Sequence, residues 1–242
     1  MNRYYYDLHT HSSLSPCADN DNTPYNLVGM AVLSGINILA LTDHNTYKNC
    51  PAFFAAAKQY GIIAVAGMEL TTAEEIHVVC LFEELEKAMQ FSEEIDSRRI
   101  KIKNRTDIFG EQLIMGENDV IVGYEEHLLS NATTVSLDEV PGLVEKYGGV
   151  CFPAHIDRQA NSLIGVLGTI PETPKFNCFE VYDAAKIPEL IEKYGLRNKT
   201  IIIDSDAHYL DSVRDKENYF DLDDEPYSSA KVRASLFKEL RG

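Results

Sequence analysis

The sequence lacks the features that mark secreted, disulfide-stabilised and membrane-spanning proteins. Its cysteines, at positions 17, 50, 80, 151 and 178, are odd in number and show no C-x-x-C spacing, which argues against a disulfide framework. No positively charged segment precedes an apolar stretch near the N-terminus, as a signal peptide requires. No apolar run reaches the roughly eighteen residues that a transmembrane helix needs. The sequence therefore predicts a cytoplasmic protein with no membrane contact.

Basic residues are scarce as well. The chain has 22 Lys and Arg residues against 38 Asp and Glu residues, which gives a formal net charge of -16. Because affinity for phosphate backbones comes largely from Lys and Arg, this balance argues against an extended nucleic-acid surface. It permits a small anionic substrate, since bound divalent cations can invert the local charge. A small phosphorylated substrate, such as a nucleotide, is therefore compatible with the charge as a partner, and the oligomeric state is left open.

No glycine-rich dinucleotide fingerprint and no Walker A loop follow any apolar run. Short apolar runs instead alternate with helical patterns, which is typical of βα units and a largely parallel sheet. The predicted strands cover residues 4–8, 36–41, 62–68, 76–82, 149–152, 178–181 and 200–203. The predicted helices cover residues 24–33, 51–60, 84–103, 137–147, 188–194 and 228–240.

Seven strands in 242 residues favour one α/β domain, residues 1–242, with a closed or nearly closed barrel rather than an open sheet. The stretch 83–136 carries one clear helix and is predicted as an insertion over the barrel mouth.

Ionisable side chains gather where the predicted strands end. They are His9, His11, Asp43, His44, Glu69, His155, Asp206 and His208, while His77 lies within or beside the fourth strand. Because the carboxyl ends of parallel strands form the site face, these groups should converge. Residues two apart in a strand share a face, so the H-x-H and D-x-H pairs can each present two ligands to one centre. Imidazole with carboxylate suits zinc, manganese or iron, and Glu69 can bridge two metals.

Several polar features have interpretations other than metal ligation. Asp43 is predicted to orient a ligating histidine from outside the coordination sphere, whereas His127 lies outside the pattern and is more typical of a surface histidine. Arg158, three residues after His155, is placed either to clamp a phosphate oxygen or to pair with an acid such as Asp157. The basic cluster at residues 98–105 either attracts anionic substrate or forms a solvated helix face.

Taken together, these motifs resemble the PHP superfamily, named for polymerase and histidinol phosphatase. The resemblance is carried by D-L-H-T-H-S at 7–12, L-T-D-H-N at 41–45, G-M-E at 67–69 with His77, F-P-A-H at 152–155 and D-S-D-A-H at 204–208. It implies a distorted seven-stranded (β/α)7 barrel. The C-terminal ends of its strands would hold two to three divalent ions of zinc, manganese or iron.

Mapped motif by motif, the resemblance implies three ligand sets. The first is His9, His11, Glu69 and Asp206; the second is Glu69, His77 and His155; the third is His44, His208 and one further ligand. In many relatives that last ligand is a histidine six residues after the second histidine of the first motif. Cys17 stands there in this sequence, so ligation by its thiolate, ligation by Asp19 and a weak third site all remain open.

The resemblance also implies a metal-dependent hydrolase of phosphate esters, acting on a phosphomonoester or nucleotide-like substrate. Divalent ions would lower the pKa of a water molecule enough to supply hydroxide, with Glu69, Asp206 and Arg158 as the catalytic residues. An amidohydrolase is an alternative, although such enzymes typically need a carbamylated lysine and no lysine ends a strand here. A non-catalytic, regulatory metal-binding domain is a third interpretation.

Overall fold

A curled sheet of six strands forms the centre of the computed structural model, which describes residues 1–242. The strands are β1 Asn2–Asp7, β2 Ile38–Leu41, β3 Ile63–Thr71, β4 His77–Phe82, β5 Leu113–Met115, β6 Ile121–Tyr124, β7 Val150–Pro153, β8 Cys178–Glu180, β9 Thr200–Ile202 and β10 Tyr219–Leu222. The helices are α1 Pro24–Leu33, α2 Cys50–Tyr60, α3 Leu85–Arg98, α4 Thr106–Phe109, α5 Val140–Lys146, α6 Leu163–Leu167, α7 Ile187–Tyr194 and α8 Ser229–Arg241. None of these helices combines the length and apolarity needed to cross a bilayer.

The strand order in the main sheet is β10-β1-β2-β3-β4-β7. Strands β1, β2 and β3 are parallel, whereas β4 runs antiparallel to both β3 and β7. The prediction of an α/β fold is confirmed, but the seven-stranded (β/α)7 barrel is not. The physical reason is the short connection at 72–76, because a parallel crossover needs a dozen or more residues. The chain therefore turns back in a hairpin at that point.

Two short pairs complete the topology: β8 with β9 in parallel and β5 with β6 in antiparallel. At the site end, the Ile156 N–H donates to the Glu180 carbonyl at 2.9 Å, and the His11 N–H donates to the Ala207 carbonyl at 2.9 Å. The strand ends therefore meet in space although no continuous ladder closes the sheet.

Both faces of the central strands are buried, which explains their unbroken apolar sequences. Along β2, Leu39 and Leu41 belong to the larger apolar core, while Ile38 and Ala40 belong to a second core on the other face. Beside them, Gly67 of β3 lies so close to β2 that an added Cβ would approach Thr42 Cγ2 to 2.5 Å. This close approach holds the G-M-E segment against the end of β2.

Residues 83–136 contact the loops that follow β1 and β2. The Leu113 N–H donates to the Ser13 carbonyl at 2.9 Å, and the Asn49 side-chain amide donates to the Leu113 carbonyl at 3.1 Å. The Asn45 amide donates to the Leu129 carbonyl at 2.7 Å. The segment thus lies beside the edge of the sheet at which the histidines gather.

Candidate metal centre

The side chains predicted as metal ligands lie together at one edge of the sheet. They follow the ends of β1, β2, β7 and β9 or lie within β3. His77 is the exception, because it begins β4. Since β4 is antiparallel to β3 and His77 pairs with Thr71, the start of β4 reaches the edge at which the parallel strands end.

Glu69 is at the centre of this cluster and is 1% exposed. Its Oε1 lies 3.4, 2.7 and 3.1 Å from ring nitrogens of His9, His77 and His155, respectively. Its Oε2 lies 3.3 and 3.1 Å from ring nitrogens of His11 and His44. The two carboxylate oxygens therefore face two groups of imidazoles, which is the arrangement that a bridging ligand requires.

The first predicted ligand set is brought together in full. Asp206 Oδ1 lies 3.4 Å from His9 Nε2 and 3.2 Å from His11 Nε2. One ligand atom from each of His9, His11, Glu69 and Asp206 lies within 4.8 Å of the others, and all four residues are buried. This set offers two nitrogens and two oxygens to a single centre.

The structure groups the remaining ligands differently from the second and third sets that the resemblance implies. One group combines His44, Glu69 and His77, and another combines His11, His44 and His208. His155 stays next to Glu69 but is not in either group. His44 therefore lies between two candidate positions, rather than serving the third alone.

Cys17 lies at the rim of the cluster. The residue as a whole is exposed, but its thiol is partly buried, with Sγ 3.3 Å from His44 Nε2. Burial of the thiol, together with Glu69 and Asp206, raises the pKa of Cys17 to about 12, so thiolate ligation would require a nearby cation. The Asp19 carboxylate instead accepts the Asp21 N–H at 2.8 Å.

The geometry fits divalent cations better than a hydrogen-bond network. Nδ1 of His44, Nδ1 of His77 and Oδ1 of Asp206 are buried and lie close to other ligand atoms, yet none of them forms a hydrogen bond of normal geometry, whereas buried polar atoms are normally satisfied. The Nε2 atoms of His9 and His11 face each other at 3.2 Å. Bonds of about 2.0–2.1 Å at tetrahedral angles place donor atoms about 3.3–3.4 Å apart. The donor spacing of the first set is close to this value.

The charges within the cluster favour ligation at neutral pH. Burial alone would raise the pKa of Glu69, but His77, His9 and His44 outweigh it and hold that pKa well below its usual value. The pKa of Asp206 is also depressed, because His9 and His11 outweigh burial. Burial lowers the pKa of His208 to about 4, which leaves its imidazole neutral. Ionised carboxylates and a neutral imidazole are the forms that bind metal.

The pKa values of His9 and His11 are raised, unlike that of His208. Burial would lower the pKa of His11, but Asp206 and Glu69 outweigh it and raise the pKa to about 9. The pKa of His9 is raised well above its usual value, because Glu180, Glu69 and Asp206 outweigh burial. A cation that binds these two imidazoles must therefore displace protons.

Two orienting contacts surround the cluster, and sequence reasoning missed the first. Glu180 Oε2 lies 2.8 Å from His9 Nδ1, and both residues are fully buried. Ser15 Oγ lies 2.9 Å from His11 Nδ1 and donates to Asp43 Oδ1 at 2.8 Å. Asp43 thus reaches His11 through a serine. The available signal for Glu180 was its place at the end of β8, like that of Glu69 in β3.

We predict that Glu180 fixes the tautomer and orientation of the His9 imidazole, as carboxylates outside the coordination sphere do for ligating histidines. Glu180→Ala should weaken metal binding roughly tenfold to a hundredfold, with Glu180→Gln less affected. Competition with a chromogenic chelator measures this affinity. His127→Ala serves as the matched control, because His127 lies outside the cluster and its side chain is 37% exposed. An unchanged affinity in Glu180→Ala would refute the orienting role.

Metal content also tests Cys17. If its thiolate completes a site with His44 and His208, Cys17→Ala should retain about one metal fewer per chain, and Cys17→His should restore it. Elemental analysis of the purified variants gives the number directly. A full complement in Cys17→Ala, with one metal lost in Asp19→Ala, would assign the ligand to Asp19 instead.

Arg158 lies at the edge of the cluster. Its Nη1 is 2.6 Å from Asp206 Oδ2, which leaves Asp206 Oδ1 to face the histidines. The alternative pairing with Asp157 is wrong, because that carboxylate accepts hydrogen bonds from Lys186 and the Tyr182 N–H. Arg158 also lines an open cleft of about 400 Å³ beside the ligand cluster. The guanidinium is thus positioned where an anion in the cleft would meet it.

Most of the basic residues in the cluster 98–105 are paired with acidic residues and are not free to bind a substrate in this cleft. Arg98 pairs with Glu94 and Glu139, Arg99 with Asp96 and Glu125, Lys101 with Asp96, and Arg105 with Asp107. These partners neutralise four of its five cations, so the solvated-face interpretation describes the cluster better.

An α/β fold with imidazoles and carboxylates gathered at its strand ends is typical of proteins that bind divalent cations. A family model described as PHP domain matches residues 7–164, so the chain belongs to the PHP domain family, a superfamily of metal-dependent hydrolases. The sequence resemblance is confirmed. Membership implies divalent ions, while their identity, their number and the individual ligands remain predictions.

Three comparisons describe the relatives. A 5'-3' exoribonuclease of Haemophilus influenzae is 42% identical over 79 residues, covering 31% of this chain and 28% of that protein. Endonuclease Q of Pyrococcus furiosus superposes with a TM-score of 0.67 at 16% identity, covering 98% of this chain and 56% of that one. A putative metal-dependent phosphoesterase of Bifidobacterium adolescentis superposes with a TM-score of 0.58 at 18% identity, covering 85% and 88%.

These relatives overturn the prediction of a small phosphorylated substrate without a nucleic-acid surface. One curated relative is named for action on RNA, and a structure of endonuclease Q holds a 27-mer duplex substrate with an abasic lesion at its active site. The inference from a net charge of -16 failed because net charge describes the whole surface. Part of the acidic charge lies inside the cluster, where bound cations would neutralise it.

Proposed function

We propose that the protein is a metal-dependent phosphoesterase that hydrolyses phosphodiester bonds of nucleic acid. The observation that carries this proposal is the single cluster formed by the carboxylates of Glu69 and Asp206 and six imidazoles, with Arg158 at the edge of the same cleft. Relatives named for action on RNA and DNA supply the substrate class. The chain spans 28% of the exoribonuclease and 56% of endonuclease Q, so the proposal concerns the domain described here.

The protein's own residues have separate tasks in this reaction. Glu69, Asp206 and the histidines hold the cations, which supply hydroxide at neutral pH and neutralise phosphoryl oxygens when bound. Arg158 binds a nonbridging phosphate oxygen through its planar fork of N–H donors. Its present partner, Asp206 Oδ2, shows that the guanidinium reaches the cluster.

A second arginine extends this edge outward. The Arg158 guanidinium carbon lies 4.2 Å from the centre of the Tyr182 ring, and that of Arg214 lies 5.2 Å from the same ring. Arg214 donates to the Tyr182 carbonyl at 2.8 Å and has no carboxylate partner. In so acidic a chain, an arginine that shares an aromatic ring with Arg158 and has no acidic partner favours a substrate with more than one phosphate. Contacts to only a few phosphates are also compatible with the net charge.

Hydrolysis of short RNA and DNA oligonucleotides by the metal-loaded protein tests the proposal. We expect products shortened at phosphodiester bonds, no products after chelation, and a shallow dependence of binding on salt because few phosphates are contacted. p-Nitrophenyl phosphate serves as the monoester comparison. Hydrolysis of the monoester alone would contradict the proposed substrate. A fully metal-loaded protein that cleaves neither class would favour the non-catalytic interpretation.

A further inference from the structure

A second cavity lies away from the metal centre, between α2, the start of β3 and the first turn of α8. It has a volume of about 550 Å³, compared with about 400 Å³ for the metal cleft. Its lining includes the rings of Phe54 and Tyr227, and the side chains of Ile62, Lys58 and Arg233. Neither the proposed reaction nor the ligand cluster uses any of these residues.

Two cations without acidic partners line this cavity. No carboxylate oxygen lies within salt-bridge distance of Lys58 or Arg233, whereas Lys231, on the same helix as Arg233, pairs with Asp223. Nε of Arg233 is buried and has no hydrogen-bond partner. Burial lowers the pKa of Arg233, since Glu83 only partly offsets the loss of solvation. A half-buried guanidinium without a carboxylate partner is a cost to the fold, and the negative charge of an anion in the cavity would offset it.

The other residues that line the cavity indicate the chemistry of the rest of the ligand. Most of the other lining residues are apolar, and the Arg233 guanidinium carbon lies 6.0 Å from the centre of the Phe54 ring. Ligand pockets of this size typically combine an apolar wall with a few polar groups that fix orientation. The first turn of α8 adds a partial positive charge at the same end of the cavity.

We propose that this cavity binds a small organic anion whose phosphate, phosphonate or carboxylate group pairs with Arg233 and Lys58. The apolar or aromatic body of the ligand lies against Phe54 and Ile62. This site is independent of the metal centre, and the proposal does not depend on the proposed hydrolase activity.

Calorimetric titration of the metal-loaded protein with phenylphosphonate, which cannot be hydrolysed as an ester, tests the proposal. We expect two binding events, one at the metals and one at the cavity. Arg233→Met, which keeps the length and apolar packing of the side chain, should weaken one event at least tenfold and leave phosphodiester hydrolysis within about twofold of wild type. The control Lys231→Met lies on the same helix but pairs with Asp223, so it should retain both events.

Several results would overturn the proposal. Identical isotherms for wild type and Arg233→Met would exclude the cavity site. Lys58→Met on α2 must also weaken the same event; if it does not, the paired-cation arrangement is wrong. Inorganic phosphate that binds the cavity as tightly as phenylphosphonate would exclude the role of the apolar wall.

Thermal unfolding gives a second readout. Because Arg233→Met removes an unpartnered, half-buried charge, it should raise Tm by roughly 2–4 °C, the scale of a modest gain in a chain of this size. A lower Tm in Arg233→Met would assign the guanidinium to the fold instead of to a ligand. Phenylphosphonate should narrow the difference in Tm, since a ligand that binds only the folded state stabilises it.

Discussion

Glu69→Gln should lose at least one metal per chain and lower kcat roughly a thousandfold or more. The amide keeps the size of the side chain but removes the negative charge that faces five imidazoles through both oxygens. It also replaces one acceptor oxygen with an NH2 group, which cannot ligate a cation. Losing cation-based stabilisation of several kcal/mol in the transition state corresponds to this change in rate.

The matched control for Glu69→Gln is Asp224→Asn. Asp224 is also a buried carboxylate, but it accepts a hydrogen bond from Tyr4 at 2.8 Å near the opposite end of β1. Its replacement should affect stability without changing metal content. Wild-type metal content and kcat in Glu69→Gln would show that Glu69 does not bridge metals.

Arg158→Ala should lower kcat/KM on a nucleic-acid substrate by roughly tenfold to a thousandfold. This range is the scale of about 1.5–4 kcal/mol for losing a charge-assisted contact in the transition state. At saturating metal the cation content should be unchanged, because Arg158 is not a ligand. The salt bridge to Asp206 adds one expectation: metal affinity measured at limiting metal should fall slightly, since Asp206 loses an orienting partner.

Two further variants make the Arg158 test specific. Arg158→Lys keeps the charge but removes the planar fork, so it should recover only part of kcat/KM. Arg105→Ala removes an exposed arginine that pairs with Asp107 and should have no effect. An unchanged kcat/KM in Arg158→Ala would reduce the contact with Asp206 to a structural salt bridge.

The strands were largely predictable because burial on both faces leaves an unbroken apolar run. All nine residues of β3 are buried, for example, and the predicted range 62–68 covers most of that strand. The direction of β4 was not predictable from its own residues, because an apolar run has the same appearance in either orientation. Strands β5, β6 and β10 were missed because a run of three or four residues is too short to specify a strand, and β6 is also largely exposed.

The location of the candidate ligands was predictable from their place at strand ends. Their division among the individual metal positions was not. Sequence motifs assign a histidine to a neighbourhood, whereas the position of His44 between Glu69 and His208 depends on side-chain packing across several loops. Glu180 was missed for a related reason. A single glutamate at a strand end has no motif of its own, and only its 2.8 Å contact with His9 distinguishes it.

The central claim is that cations held around Glu69 carry out phosphodiester hydrolysis. Its most direct test is to strip the protein with a chelator, add back manganese, zinc or iron in steps, and measure bound metal and oligonucleotide cleavage in the same samples. We predict that cleavage is absent in the stripped protein and rises in step with the metals bound per chain. Cleavage by the stripped protein at the wild-type rate, or none at full metal occupancy, would contradict the claim.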